Sequence, residues 1–211
     1  MKTITSISAI LLLLIGAALP GDGEIPSLAI GEKAPMTNHG MKSTKGKTAS
    51  LESLKKEKGL LVIFSCNTCP FVIGNEKGEG WQGRYNELFE LATSHNIGGV
   101  LVNSNEAKRD KGDSFKDMMN QAKDQNYQVD YVLDTDHLLA DAFGAKTTPH
   151  IYLFDKDMKL VYKGAIDDNN ASAAEVKEPW LKNALANLAA SREIDPNTTR
   201  ALGCSIKRLT K

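Results

Sequence analysis

The stretch Cys66-Asn67-Thr68-Cys69-Pro70 holds two thiols three residues apart. In the first turn of a helix, residues at that spacing are neighbours, close enough for the short Cα separation of a disulfide. Such a pair can open and close while the fold stays still, which suits thiol-disulfide exchange. A helix N-terminus offers free amide donors and the positive end of the dipole, so it favours a thiolate on the first sulfur. Cys66 is therefore expected to attack, and Cys69 to resolve the mixed disulfide. Cys204, the third cysteine, lies in a polar tail; it is an accessory redox candidate that could reach back to the pair or join two chains. A Cys-x-x-Cys is also half of a zinc site, but tetrahedral zinc wants two further ligands and the chain has no second Cys-x-x-Cys and no His-x-x-x-His. No metal and no cofactor is expected.

The elements that must position these thiols are legible around them. Gly59-Leu60-Leu61-Val62-Ile63-Phe64 is a continuous apolar run that suits a strand buried on both faces and it ends one residue before Cys66. Behind the cysteines, Trp81, Tyr85, Leu88, Phe89 and Ala92 recur at helical spacing, with Gly74, Gly78, Gly80 and Gly83 making the first half irregular. A strand at Gly98 to Val102, a helix through Phe115, Met118, Met119 and Ala122, a strand from Tyr127 to Leu133 and a short helix stopped by Gly144 follow. Ile151 to Phe154 and Leu160 to Tyr162 flank a polar turn and read as an antiparallel hairpin, opened by Thr147-Thr148-Pro149. A last helix carries Trp180 to Leu188, while residues 22 to 58 read as an irregular segment with a short hairpin. This alternation packs helices on both faces of a mostly parallel sheet with an antiparallel edge.

Lys and Arg total 26, as do Asp and Glu, so no charge excess offers a footprint to nucleic acid. The apolar run from Ala9 to Leu19 ends in small residues and Pro20-Gly21, the pattern of a secretory signal peptide, and it is too short for a membrane span. The expected organisation is a signal peptide over 1–21, one globular domain over 22–190 and a tail over 191–211 with Cys204, in a periplasmic or secreted protein without a membrane partner. Outside the cytosol disulfides persist, and an odd, low cysteine count points to chemistry rather than stapling. His150 follows Pro149 and is expected to be a strand histidine with a local hydrogen bond. His95 and His137 are expected on helix surfaces.

The strand, the Cys-x-x-Cys at a helix start and the Thr-Pro before a hairpin together resemble the thioredoxin superfamily. Phe64 to Val72, Thr148 to Asp155 and Gly203-Cys204-Ser205-Ile206-Lys207 resemble more narrowly its redoxin-domain group, described as thioredoxin-like or alkyl-hydroperoxide-reductase-like. The resemblance runs from about residue 30 to residue 207. It implies an α/β thioredoxin-like fold, a central mixed β-sheet flanked by helices on both faces. It also implies that Cys66 and Cys69 are the redox pair, that Pro149 is cis and faces them, and that the Thr148 backbone pairs with an incoming peptide strand. Thr148 and Pro149 would then bind substrate. Where thioredoxins carry a buried acid in the preceding strand, this chain has the wholly apolar Leu60 to Phe64, and Ile63 stands where peroxiredoxins place a threonine.

The implied activity is exchange of disulfides with partner proteins or small thiols. The rivals are a thiol peroxidase using Cys66 or Cys69 on a peroxide, and a carrier of a soft ion such as Cu(I) held by both thiolates.

Overall fold

The computed structural model describes residues 25–209; the expected signal peptide lies outside them. The chain opens with an antiparallel hairpin, β1 (Met41–Ser43) and β2 (Thr48–Ala49), then a single helical turn, α1 (Leu51–Leu54). Ser50 caps that turn by accepting from the Ser53 amide, satisfying one of the donors a helix start leaves free. β3 (Gly59–Ser65) follows, then α2 (Pro70–Ile73), α3 (Tyr85–Ser94), β4 (Ile97–Asn103), α4 (Phe115–Asp124), β5 (Asp130–Leu133) and α5 (Leu138–Phe143). The chain closes with β6 (Thr147–Thr148), β7 (His150–Asp155), β8 (Leu160–Gly164), α6 (Trp180–Ala189) and β9 (Cys204–Ser205).

Seven strands form one mixed sheet in the order β2-β1-β5-β4-β3-β7-β8. β3, β4 and β5 run parallel, while β7 and β8 extend one edge antiparallel and β1 and β2 the other. β3 is central and buried throughout because its side chains feed two cores. Leu61 and Ile63 join Trp81, Tyr85, Leu88, Phe89, Leu181 and Leu185 beneath α3 and α6. Leu60, Val62 and Phe64 point the other way, to Leu51, Leu139, Phe143, Tyr152 and Phe154 beneath α1 and α5. At roughly 2 kcal/mol per buried aliphatic or aromatic side chain, these five residues contribute on the order of 10 kcal/mol of gross apolar burial. That holds the strand end, and so Cys66, in a fixed place. This is the thioredoxin-like fold, and among the described residues no helix is long and apolar enough to cross a membrane.

Three local outcomes differ from the sequence reading. The helix behind the cysteines is broken: α2 ends at Gly74, whose φ of 82° leaves the helical region, and the regular helix resumes only at Tyr85. The strand expected from Tyr127 begins at Asp130, because the Tyr127 amide bonds to the Ala122 carbonyl across a left-handed Asn126 and so completes the end of α4. His137, expected on a helix surface, is buried in a left-handed turn before α5 and bonds to Asp141 through Nδ1 at 2.9 Å.

Candidate active site

Cys66 leaves β3 at its carboxyl end and Cys69 is the N-cap of α2, with Pro70 at the first helical position, where its missing donor costs nothing. Both cysteines are therefore outside the helix rather than in its first turn. The helix is one turn long, and its field falls nearer Cys69 than Cys66. The peptide bond between Thr148 and Pro149 is cis, and Thr148 meets both sulfurs. Its Oγ1 lies 3.2 Å from Cys66 Sγ, and its carbonyl oxygen 3.1 Å from Cys69 Sγ.

The loop between the cysteines is held by a residue the sequence reading missed. Asp113 is fully buried, and its carboxylate accepts from the Asn67 amide at 2.7 Å and the Thr68 hydroxyl at 2.8 Å. It also accepts from the side-chain amides of Asn103 at 2.8 Å and Asn105 at 3.1 Å. The Tyr131 hydroxyl donates to Asn67 Oδ1 at 2.9 Å and accepts from Asn103. The signal was present in the sequence: the apolar β4 run turns polar at Asn103-Ser104-Asn105. That is the carboxyl end of a parallel strand, where open α/β sheets place their sites.

Cys204 comes to the same place. β9 pairs antiparallel with β6, Thr148 opposite Cys204 and Thr147 opposite Ser205. Gly203 crosses so close to Thr148 that a Cβ there would sit 2.3 Å from the Thr148 carbonyl oxygen, so only glycine fits. The Ile206 amide bonds to the Lys146 carbonyl, Lys207 bridges to Asn105 and Ala107, and Arg208 reaches Asp141 and the Ala145 carbonyl. The tail is thus a strap fixed across the site, and Thr148, expected to take a visiting strand, already holds one from its own chain. All three cysteines are free thiols. Cys66 and Cys69 are only 2% and 3% exposed, so a visitor cannot reach them while the strap is seated.

Proton affinities separate the sulfurs in the direction opposite to expectation. Cys66 is pushed well up, by donating to Cys69, by burial and by the nearby Asp113 carboxylate. Cys69 is pulled down to about 5, chiefly by the hydrogen bond from the Cys66 thiol and further by the Cys204 thiol and backbone amide, against the cost of burial. The Thr148 carbonyl favours a protonated Cys69, but the donors around that sulfur outnumber this single acceptor. Cys204 rises to about 11 through burial and its bond to Cys69. The sulfurs do not enclose a common point: among the described residues no group of three His, Cys, Asp or Glu side chains is arranged to hold a metal ion. His150 lies on the opposite face, paired with Phe64 and bonded to the Lys146 amide and the Tyr152 hydroxyl, as a local strand histidine. Burial first, then the charges of Lys163 and Lys146, lower its pKa to about 4.

The sequence profile of the redoxin family matches residues 29–185. An uncharacterized conserved protein from Geobacillus kaustophilus is 29% identical and superposes with a TM-score of 0.74 over 87% of this chain and 94% of its own. A peroxidoxin from Mycobacterium tuberculosis is 14% identical, with a TM-score of 0.55 over 79% of this chain and 99% of its own. The thioredoxin domain of a thiol-disulfide oxidoreductase from Bacteroides vulgatus is 21% identical, with a TM-score of 0.50 over 66% of this chain and 90% of its own. No curated protein sequence matches the chain.

Proposed function

The chain belongs to the redoxin family, and from that premise we propose that it is an exported thiol-disulfide oxidoreductase working through Cys66 and Cys69. Family membership supports oxidoreductase activity in general; the specific reaction rests on the pair. The observation that carries it is that two buried free thiols meet at one residue before the cis-proline: Thr148 Oγ1 lies 3.2 Å from Cys66 Sγ and the Thr148 carbonyl oxygen 3.1 Å from Cys69 Sγ. A thiolate is the reactive form of cysteine, and the upward shift of Cys66 with the downward shift of Cys69 supports Cys69 as the attacking sulfur.

The Cys69 thiolate attacks one sulfur of a partner's disulfide, forming a mixed disulfide and expelling the other partner sulfur as a thiolate. Cys66 then attacks Cys69 Sγ, and its proton passes to the departing partner sulfur. The partner ends as a dithiol and this protein holds a Cys66–Cys69 disulfide. Thr148 and Pro149 present the backbone edge that a partner strand would pair with once the strap has left. Export rests on the apolar run from Ala9 to Leu19.

The test is turnover of insulin disulfides with dithiothreitol as electron donor. Cys69→Ser is expected to reduce turnover to background, and retained turnover would overturn the assignment. The double variant Cys66→Ser/Cys204→Ser is expected to accumulate a stable mixed disulfide on Cys69. Peroxide reduction is the second reading, favoured by the same thiolate, and it would show as peroxide consumption with a sulfenic acid trapped on Cys69.

A further inference from the structure

We propose that Cys204 is a second resolving thiol, so that Cys69 can close a disulfide with either Cys66 or Cys204, and that the Cys69–Cys204 bond ties the strap down over the partner-binding edge. The inference rests on the reading of Cys66 and Cys69 as a redox pair and adds a third sulfur to it. Two geometric observations carry it. β9 places Cys204 directly across from Thr148, whose carbonyl oxygen is 3.1 Å from Cys69 Sγ. Cys204 packs against the same buried cluster that contains Cys66 and Cys69. In the same direction, the interactions that lower the Cys69 pKa come from both other cysteines, which supports Cys69 as the sulfur common to the two disulfides.

The reaction is an internal isomerisation and consumes no oxidant beyond the partner's disulfide. Starting from the Cys66–Cys69 disulfide, Cys204 Sγ attacks Cys69 Sγ. The Cys69–Cys204 bond forms as the Cys66–Cys69 bond breaks, and the proton of Cys204 passes to Cys66. The number of disulfides is unchanged. Two of the causes that raise the Cys204 pKa are its bond to Cys69 and the Cys69 charge. Both vanish once Cys69 is in a disulfide, so Cys204 becomes easier to deprotonate when it is needed. The Phe71 amide, the first available donor after Pro70, already favours its thiolate.

The strap is built to be positioned and yet to move. Its far end is anchored by Ile206, Lys207 and Arg208 and its near end by Thr199, which bonds to Lys163, Ala165 and Tyr162. Between these anchors Leu202 is 40% exposed and Arg200 is exposed. With the Cys66–Cys69 bond closed, β9 is held only by its two-residue pairing with β6 and the anchors, and a partner strand can displace it. With the Cys69–Cys204 bond closed, the edge is occupied and Cys66 is left as a free thiol beneath the strap.

Disulfide mapping of the full chain tests this. Trypsin releases 59–77, carrying Cys66 and Cys69, and 201–207, carrying Cys204. After oxidation with oxidised glutathione and alkylation, Cys66→Ser is expected to yield 59–77 joined to 201–207 within a monomer. Cys204→Ser is expected to close its bond within 59–77, and Cys69→Ser to do neither. Failure of the Cys66→Ser protein to join the two peptides, while Cys204→Ser still closes its own bond, overturns the third-thiol proposal and leaves the pair intact. Failure of Cys204→Ser to close overturns the reading of the pair itself. A Cys66–Cys204 link in Cys69→Ser overturns Cys69 as the sulfur common to the two disulfides. Gly203→Ala keeps every thiol and is expected to lower the yield of the joined peptides about tenfold, the effect of a steric clash in that contact. An unchanged yield there also counts against the proposal.

Discussion

The flank of Cys66 and the flank of Cys69 begin with the same chemistry and end with opposite electrostatics. On the Cys66 side, a buried carboxylate takes the Asn67 amide and the Thr68 hydroxyl for itself, so the loop donors that could stabilise a thiolate are spent on Asp113. On the Cys69 side, the strap delivers the backbone amide and thiol of Cys204 to the sulfur. Three residues of separation therefore decide less than the elements that arrive from residues 113 and 204. The lesson is that a Cys-x-x-Cys sets which atoms can bond, whereas neighbours remote in sequence set which of them carries the charge.

Each side of that contrast can be broken separately. The largest effect is expected from Cys69→Ser, which removes the charged sulfur and should cut disulfide turnover by at least about a thousandfold. Cys66→Ser leaves Cys204 to resolve and should retain a measurable part of it; equal losses in both variants would erase the contrast.

His150 measures what burial, helped by the charges of Lys163 and Lys146, does across the sheet. The unfolded chain takes up a proton near the ordinary histidine pKa of 6.5 and the folded protein only near 4. The folded pKa is the lower one, so stability falls as the pH drops through that window, by about 3 kcal/mol. Urea midpoints measured between those pH values should show the loss, and His150→Gln should flatten it.

Asp113→Asn keeps the shape and removes the charge. Because the carboxylate holds Cys66 up, its loss should lower the Cys66 pKa and narrow the gap between the two sulfurs, read from thiolate absorbance against pH. An amide cannot accept all four donors, so the substitution should also cost about 2 kcal/mol in denaturant unfolding. The smallest effect is expected from Gly203→Ala, at roughly 1 kcal/mol of stability. It pushes the strap off Thr148 and takes the Cys204 donors from Cys69. The midpoint of Cys69 alkylation should then move up from about 5; an unmoved midpoint would show that the strap does not set that value.

Much of the framework was legible in the residues. The run from Leu60 to Phe64 suited a strand buried on both faces and is one, and Gly144 ends α5 in the left-handed conformation its lack of a Cβ allows. The stretch behind the cysteines was less readable, because four glycines in ten residues erase helical periodicity. The strap was unreadable as a strand: two residues pairing across a gap of more than fifty leave no alternation to detect.

Local chemistry determined that two thiols would stand at the mouth of a helix and that a hairpin would follow Thr148 and Pro149, because spacing, periodicity and proline act over a few bonds. Which sulfur holds the proton, which carboxylate clamps the loop and what lies on the Thr148 edge were decided only when β4, the loop before α4 and the tail met at one end of the sheet. Hydrogen bonds and Coulomb interactions depend on distance through space, and distance along the chain does not report it.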